Sequence, residues 1–255
     1  MKEIPPFLLF VFGLVVGSFL NVCIHRLPRD RSIVSPPSAC PSCGARIAWY
    51  DNVPVLSYLA LRGRCRSCRK RISPRYPLVE IATALLFVAL GRSFPNDWTI
   101  VLPLFYASAM LVVTLTDLDL RIIPDSITLP GIALGLAHRG WIGGEWLDSV
   151  LGILLGGGSL WLLGEGYFRL RKREGMGGGD VKLAAMMGAF LGWASTFLVL
   201  FAASLAGGLF GTALILLRRG RATTPIPFGV FLAPIGLIGL VYGERVLAWY
   251  LGIAG

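Results

Sequence analysis

Long apolar stretches separated by short polar segments dominate the chain. A helix needs about 20 apolar residues to cross the hydrocarbon core of a bilayer. By this rule the pattern predicts eight spans, near residues 4–24, 76–93, 98–116, 126–141, 147–168, 181–193, 196–217 and 226–243. The division of 181–217 at Gly192-Trp193 does not follow from length, because 181–193 is short for a full crossing. The pattern therefore predicts an all-α polytopic membrane protein with about eight transmembrane helices.

Composition supports this fold class. Of the 255 residues, 55% are apolar and 15% are charged, and the mean hydropathy of +0.70 is too high for a chain built around one soluble core. Residues 4–24 resemble a span more than a signal peptide, because no small-residue cleavage site follows them. A cleavable signal is therefore not expected.

The distribution of charge decides the topology. With an outside N-terminus and eight spans, the inside loops are 26–75, 117–125, 169–180 and 218–225. These loops, with Lys182, hold 20 of the 24 Lys and Arg residues. The outside positions hold Lys2, Arg92, Arg139 and Arg245. Without a break at Gly192-Trp193, the basic residues of 218–225 would lie outside, against the positive-inside rule. The same rule explains the net charge of +10, so no nucleic-acid partner is expected.

Two acidic positions stand where apolar spans meet polar loops. A glycine run at 175–179 leads into Asp180 and an apolar helix, while Asp117 closes the third predicted span. Ionisable residues at membrane helices are costly and indicate a functional site. A purely structural alternative for Asp180 is an N-cap that accepts amide hydrogen bonds. The topology places both acids at the cytoplasmic ends of their helices, where they could form a carboxylate pair.

Such a pair has a specific chemistry. Two close carboxylates in a poorly solvated site share a proton, so one can activate water while the other protonates a scissile carbonyl. His25 and His138 fall at opposite membrane faces by the predicted topology, which disfavours a His-based triad. Asp119 and Asp125 lie near Asp117, and Asp125 after Pro124 is most simply the cap of the fourth span.

Loop 26–75 contains two Cys-x-x-Cys pairs. The pairs are Cys40 with Cys43 and Cys65 with Cys68, a spacing typical of a four-thiolate zinc site. Disulfides, a redox pair and metal-free thiols are the alternatives, and a reducing cytoplasm disfavours disulfides. Four thiolate ligands predict a closed, structural site. Cys23, at the end of the first span, is expected to be a small buried apolar residue.

The same loop is basic. It holds eleven Lys and Arg residues against Asp30 and Asp51, which suits an anionic lipid surface. Between the cysteine pairs, residues 47–61 are apolar and aromatic, too short to span and interrupted by Pro54. We expect this stretch to rest on the membrane.

Together these features resemble the prepilin leader peptidases, membrane aspartic proteases that serve type IV pili and type II secretion. The resemblance covers nearly the whole chain. It rests on residues 17–22 with 26–28, the two cysteine pairs with 49–61, residues 75–80, the acidic cluster 117–125, the Gly-Gly-Gly-Asp element 177–180, and 224–229. It implies a bacterial inner-membrane protein with eight helices and an active site at the cytoplasmic face. Its implied domains are a first helix (1–25), a zinc loop linked to methyl transfer (26–75) and a peptidase domain (76–255).

The resemblance also implies two activities. The first removes a basic leader from prepilins and pseudopilins, typically between Gly and Phe beside an apolar helix, with Asp117 and Asp180 as the catalytic pair. The second methylates the new N-terminus with S-adenosylmethionine. Glu80 is a candidate for the cofactor site, and the simpler interpretation is that it is an interfacial acid. Glu165 is a second, weaker candidate for the same role.

Other classes predict different patterns. A transporter would spread its acids through the bilayer depth, whereas the acids here cluster at one face. A pilus-assembly scaffold without enzymatic activity would tolerate the loss of either aspartate. A peptidase that does not methylate is a third alternative. The particular prepilin and the oligomeric state do not follow from the sequence.

Overall fold

The computed structural model describes residues 4–94, 98–173, 175–217, 227–250 and 252. Across this part of the chain the structure is helical, with two isolated antiparallel bridges, Ala39–Arg46 and Arg64–Arg71, in the loop after the first helix. Its α-helices are α1 (Pro6–Arg26), α2 (Leu56–Ala60), α3 (Arg75–Ser93), α4 (Val101–Leu120), α5 (Asp125–Leu136), α6 (Trp146–Ile153), α7 (Ser159–Arg171), α8 (Gly178–Leu216) and α9 (Gly229–Tyr250). The predicted basic residues of loop 218–225 and the predicted start of the last span at 226 lie outside the described residues.

Six helical segments in the described part of the chain are long and apolar enough to cross a membrane. They are Pro6–Arg29, Arg75–Ser93, Val101–Leu120, Trp146–Arg171, Gly178–Leu216 and Gly229–Tyr250. Trp146–Arg171 combines α6, the π-helical turn Leu154–Gly158 and α7. The predicted all-α membrane fold is confirmed.

Two further features of the structure bear on the predicted count of eight spans. Helix α8 has 39 residues, about twice the length of one crossing, and its backbone leaves the helical region at Gly192, with φ 74° and ψ 174°. The break falls at the predicted division. Helix α5 continues into the π-helical turn Ala137–Ile142, and the two together cover the predicted span 126–141.

The chain divides into two compact units, Met1–Ser108 and Ala109–Gly255. Helix α4 begins in the first unit and ends in the second. The first unit contains α1, the cysteine loop and α3, and the second contains the ends of helices at which Asp117 and Asp180 lie. The predicted division at residues 25 and 75 stays a prediction.

Close backbone contact joins α1 to α3 in the first unit. A Cβ atom added at Gly13 would lie 2.5 Å from the Cα of Ala84, and one added at Gly17 would lie 2.6 Å from the Cα of Glu80. Two glycines four residues apart let membrane helices approach at backbone distance. The pair of helices therefore forms a rigid base for the cysteine loop between them.

The break in α8 is stabilised by an acidic side chain. One carboxylate oxygen of Asp148 accepts a hydrogen bond from the Trp193 backbone amide at 3.4 Å, so it helps to satisfy the N-terminus of the second half of α8. Arg139 pairs with Asp148 at 2.6 Å, Glu145 at 2.8 Å and Glu244 at 3.3 Å. One guanidinium thus connects the turn after α5 with α6 and α9.

Candidate active site and metal centre

Asp117 lies in the last turn of α4, and its residue is only 4% exposed. Its Oδ2 atom accepts a hydrogen bond from the backbone N–H of Val230 at 3.0 Å, and the Gly229 amide also contributes. These amides open α9, and a helix N-terminus stabilises negative charge. The first turn of α9 therefore holds the Asp117 carboxylate in place.

Gly229 fits this arrangement because it has no side chain. A Cβ atom added there would lie 2.8 Å from Asp117 Oδ2, closer than a carbon and an oxygen can pack. Sequence reasoning placed Gly229 in a motif but gave it no role. Residues 224–226 of that motif lie outside the described residues.

Asp180 is the third residue of α8, and the residue at the cap position is Gly177. The Asp180 backbone N–H donates to the Gly177 carbonyl at 3.1 Å, and the Gly177 backbone hydrogen bonds to the Asp180 carboxylate. Asp180 is half-buried. Asp180 is therefore not the N-cap residue itself. From the first turn of α8 its carboxylate nevertheless accepts an amide hydrogen bond at the helix start, as the capping alternative describes.

The two predicted aspartates are brought together within the second unit. Their carboxyl groups interact electrostatically, and the side chain of Ile123 links the elements that carry them. A Cβ atom at Gly179 would lie 2.9 Å from Ile123, and one at Gly229 would lie 3.1 Å from it. The end of α4 and the starts of α8 and α9 thus converge on one place, a contact that sequence reasoning missed.

The other acids of the cluster have different surroundings. Asp119 is exposed, although it lies only two residues from buried Asp117. Asp125 is exposed and pairs with Lys182 at 2.6 Å. The structure assigns Pro124 to the cap position of α5 and records no side-chain cap. The prediction that Asp125 caps this helix is therefore wrong, since its carboxylate serves the ion pair.

The four predicted cysteines form one cluster in the first unit. The Sγ atoms of Cys40, Cys43, Cys65 and Cys68 all lie within 4.8 Å of one another, and those of Cys40 and Cys68 are 3.9 Å apart. A tetrahedral zinc ion with Zn–S bonds of about 2.3 Å needs Sγ atoms about 3.8 Å apart. The residues present therefore fit a four-thiolate zinc site.

Both cysteine pairs are built as the same tight turn. The Gly44 N–H donates to the Cys40 carbonyl at 2.9 Å, and the Arg69 N–H donates to the Cys65 carbonyl at 3.0 Å. The two residues after the pairs have positive φ angles, 72° at Gly44 and 60° at Arg69. Glycine adopts this left-handed conformation readily, whereas arginine rarely does, so the residue type at Arg69 does not indicate the turn.

Backbone hydrogen bonds favour the thiolate form of one cysteine of the cluster. Backbone amides of Ser42 and Cys43 lower the pKa of the Cys40 thiol to about 6, and a thiolate is the form that binds metal. Arg66 donates to both carboxylate oxygens of Asp51 at 2.6 and 2.7 Å, which lowers the pKa of Asp51. This bidentate pair ties the second cysteine turn to the segment between the pairs.

Glu80 lies apart from the cysteine cluster but within the same unit. It is 7% exposed, accepts the Val55 backbone N–H at 2.8 Å and bonds to Ser18. Glu165 pairs with Arg169 at 2.7 Å on the surface of α7, as expected for a structural ion pair. The buried carboxylate of Glu80 thus joins α1, α3 and the loop.

Comparisons with known proteins assign most of the chain to one family. Residues 11–94 match the bacterial peptidase A24 N-terminal domain, and residues 104–212 match the type IV leader peptidase family. No solved structure matches the chain significantly.

Three relatives named prepilin leader peptidase/N-methyltransferase illustrate the similarity. The protein from Aeromonas hydrophila is 41% identical over 96% of this chain and 93% of its own length. The protein from Pseudomonas aeruginosa is 38% identical over the same shares. That from Myxococcus xanthus is 46% identical over 84% of this chain and 64% of its own length. Because the first two of these similarities extend over nearly the full length of both proteins, the chain belongs to the type IV leader peptidase family.

Proposed function

We propose that this protein cleaves the leader from type IV prepilins and related pseudopilins, and then methylates the new N-terminus. The observation that carries the peptidase proposal is the convergence of the helix ends that bear Asp117 and Asp180, where Ile123 lies against Gly179 at the start of α8 and Gly229 at the start of α9. The relatives' shared name supports both activities. The protein acts as a multi-pass protein of the bacterial inner membrane, with its site at the cytoplasmic face.

Asp117 and Asp180 divide the chemistry between them. The α9 amides stabilise negative charge on Asp117, so we assign Asp117 as the carboxylate that takes a proton from water. The resulting hydroxyl attacks the scissile carbonyl carbon, and Asp180 donates its proton to the carbonyl oxygen. Collapse of the tetrahedral intermediate returns the proton from that oxygen to Asp180. The peptide C–N bond breaks, and the leaving amine takes the proton held by Asp117.

The substrate follows from the surroundings of this pair. A carboxylate pair at helix ends faces the membrane boundary, where a prepilin would present its basic leader in water and its apolar helix in lipid. We propose that a prepilin-type chain is the partner.

For methyl transfer we propose S-adenosylmethionine as cofactor and the cysteine loop as the supporting module. Cys40, Cys43, Cys65 and Cys68 would hold zinc, which closes the loop and does not contact substrate. Glu80 remains the candidate for cofactor binding. Because Glu80 accepts a hydrogen bond from the Val55 backbone, it would affect methyl transfer by positioning the loop.

The test uses the purified full chain in lipid with a synthetic peptide. The peptide carries a basic leader ending in Gly, followed by Phe and an apolar helix, and mass spectrometry follows the product with and without S-adenosylmethionine. D117N and D180N should each lower the cleavage rate at least about 100-fold, the scale of a lost acid or base. The controls D119N and D125N, in the same cluster, should cleave within about threefold of the wild type.

The outcomes separate the alternatives. Wild-type rates in D117N or D180N would remove the dyad assignment. Cleavage without an added methyl group would leave a peptidase alone. If the folded wild type cleaved none of several such peptides, the protein would be a scaffold for pilus assembly.

A further inference from the structure

Helix α2 exposes its leucine side chains, while Ser57 and Tyr58 on its other side are partly covered. The Ser57 hydroxyl donates to the Tyr50 carbonyl at 3.1 Å, and Tyr58 is half-buried. Leu56 and Leu59, three residues apart on the opposite side, are 65% and 64% exposed. A segment folded for water would present the reverse pattern. The arrangement is that of an element whose outer surroundings are apolar.

The exposed apolar surface continues into the preceding turn. Trp49 is 83% exposed and Val53 is 39% exposed, and with Leu56 and Leu59 they recur every three or four residues. We call these four side chains the apolar ridge. Tryptophan is enriched at membrane–water boundaries, where its ring is apolar and its N–H meets water.

Two membrane helices fix the depth of the ridge. Glu80 accepts the Val55 backbone N–H at 2.8 Å, and it lies five residues into α3 after Arg75. At a rise of 1.5 Å per residue this is about 7.5 Å along the helix axis. Ser18 of α1, which also bonds to Glu80, lies eight residues before the end of α1 at Arg26, or about 12 Å. The chain entering α2 is therefore held below the ends of both helices.

We infer that residues 49–60 form an interfacial segment, with the apolar ridge inserted into the cytoplasmic leaflet at a depth set by Glu80. Interfacial helices bury their apolar face about 5–10 Å into the boundary region, and the Glu80 contact lies at that depth. The inference concerns lipid binding and stands independently of either proposed activity.

The charge that follows the ridge selects the kind of lipid. Exposed basic side chains come directly after α2, at Arg62, Arg64, Arg69, Lys70 and Arg71. Basic residues beside a membrane-inserted segment attract anionic headgroups. The partner surface is therefore a bilayer that contains anionic phospholipid.

The first test places Trp49 relative to lipid and water. Zinc-loaded full-length protein and its W49F variant are placed in nanodiscs of mixed zwitterionic and anionic lipid, and the difference between their emissions isolates Trp49. Lipid brominated on its acyl chain should reduce this difference at least twofold, while aqueous iodide should change it little. Quenching by iodide and not by brominated lipid would overturn the inference.

The second test addresses the role of Glu80. E80A should expose Trp49 to iodide and raise amide exchange at residues 55–60 at least tenfold, while E80Q, which keeps an acceptor for the Val55 N–H, should behave as the wild type. Zinc content verifies that each variant is folded. If E80A does not fold, the double substitution L56S/L59S should produce the same change in quenching. Unchanged quenching in a folded E80A or L56S/L59S protein would refute the assignment.

Two further outcomes decide the identity of the partner. If Trp49 is protected from iodide only after a prepilin-like peptide is added, the ridge binds the substrate helix and the lipid inference fails. Replacing the anionic lipid by zwitterionic lipid should weaken quenching by brominated lipid at least twofold. Equal quenching in both bilayers would remove the preference for anionic lipid.

Discussion

Two aspartates separated by one residue show how strongly position decides chemistry. Asp117 faces the protein interior and Asp119 is exposed, because residues two apart on a helix point in nearly opposite directions. The inward carboxylate of Asp117 accepts a hydrogen bond from the α9 backbone at Val230. Burial and these two amides distinguish a catalytic candidate from a neighbour of identical chemistry.

Gly229 provides a sharp test of this geometry. In G229A the new Cβ would lie 2.8 Å from Asp117 Oδ2, so the carboxylate must move away from the α9 amides. A displacement of about 1 Å at a reacting group lowers the rate by about 100-fold, and we expect a loss of that size in the peptide cleavage assay.

The matched control is G208A, since a Cβ at Gly208 meets nothing within 4 Å. It should cleave at the wild-type rate. Equal rates in G229A and G208A would show that the α9 amides do not position Asp117.

Residue patterns predicted the chemical groups of the site but not the backbone hydrogen bonds that hold them in place. Asp117, Asp180 and the four cysteines were identified from motifs and spacing. The hydrogen bond from Val230 to Asp117 spans 113 positions, and the bond from Val55 to Glu80 spans 25. Neither leaves a periodic signal, because backbone amides carry no residue identity.

At the level of elements, α8 shows a boundary that charge predicted and length did not. Its apolar composition continues across Gly192, so hydropathy alone indicates one 39-residue helix. The basic residues after 217 required a break. The φ angle of 74° at Gly192 supplies it, and Asp148 satisfies the Trp193 amide that the break releases.

We expect G192A to destabilise the second unit. The backbone at Gly192 lies in a region that is nearly exclusive to glycine, where another residue costs about 1–3 kcal/mol. The new Cβ would also overlap the Asp148 carboxylate. Thermal unfolding in detergent should therefore show a lower midpoint for G192A than for the wild type.

G158A is the control for this change. Gly158 has helical φ and ψ, and a Cβ there meets no atom within 4 Å. Its midpoint should equal or exceed that of the wild type. A G192A protein as stable as G158A would mean that the break tolerates a side chain.

For the whole molecule, the division into two units separates the two proposed activities. The cysteine cluster lies in Met1–Ser108, and both aspartates lie in Ala109–Gly255. The family matches divide the chain at a similar place, because the first covers 11–94 and the second begins at 104, near the start of α4. None of the four cysteines of the cluster belongs to the unit that carries the two aspartates.

We therefore predict that C40S and C65S each lose one equivalent of zinc and lose methyl transfer. The cleavage rate should fall by less than about tenfold, which is smaller than the loss of about 100-fold or more expected when a catalytic acid or base is removed. Metal content by mass spectrometry and the peptide assay measure the three quantities. C23S, at a buried cysteine of α1 outside the cluster, should keep its zinc. Retained zinc in both cluster variants would contradict the four-thiolate assignment.

The contacts of Arg139 have a consequence for how relatives can diverge. Its guanidinium serves Glu145, Asp148 and Glu244 together, so a substitution at 139 alone would leave several carboxylates near one another without a counter-ion. A lysine could not replace it, because one ammonium lacks the planar fork that reaches separate partners. Positions 139, 148 and 244 should therefore change in concert across the lineage, with compensating substitutions in α6 and α9 following any loss of the arginine.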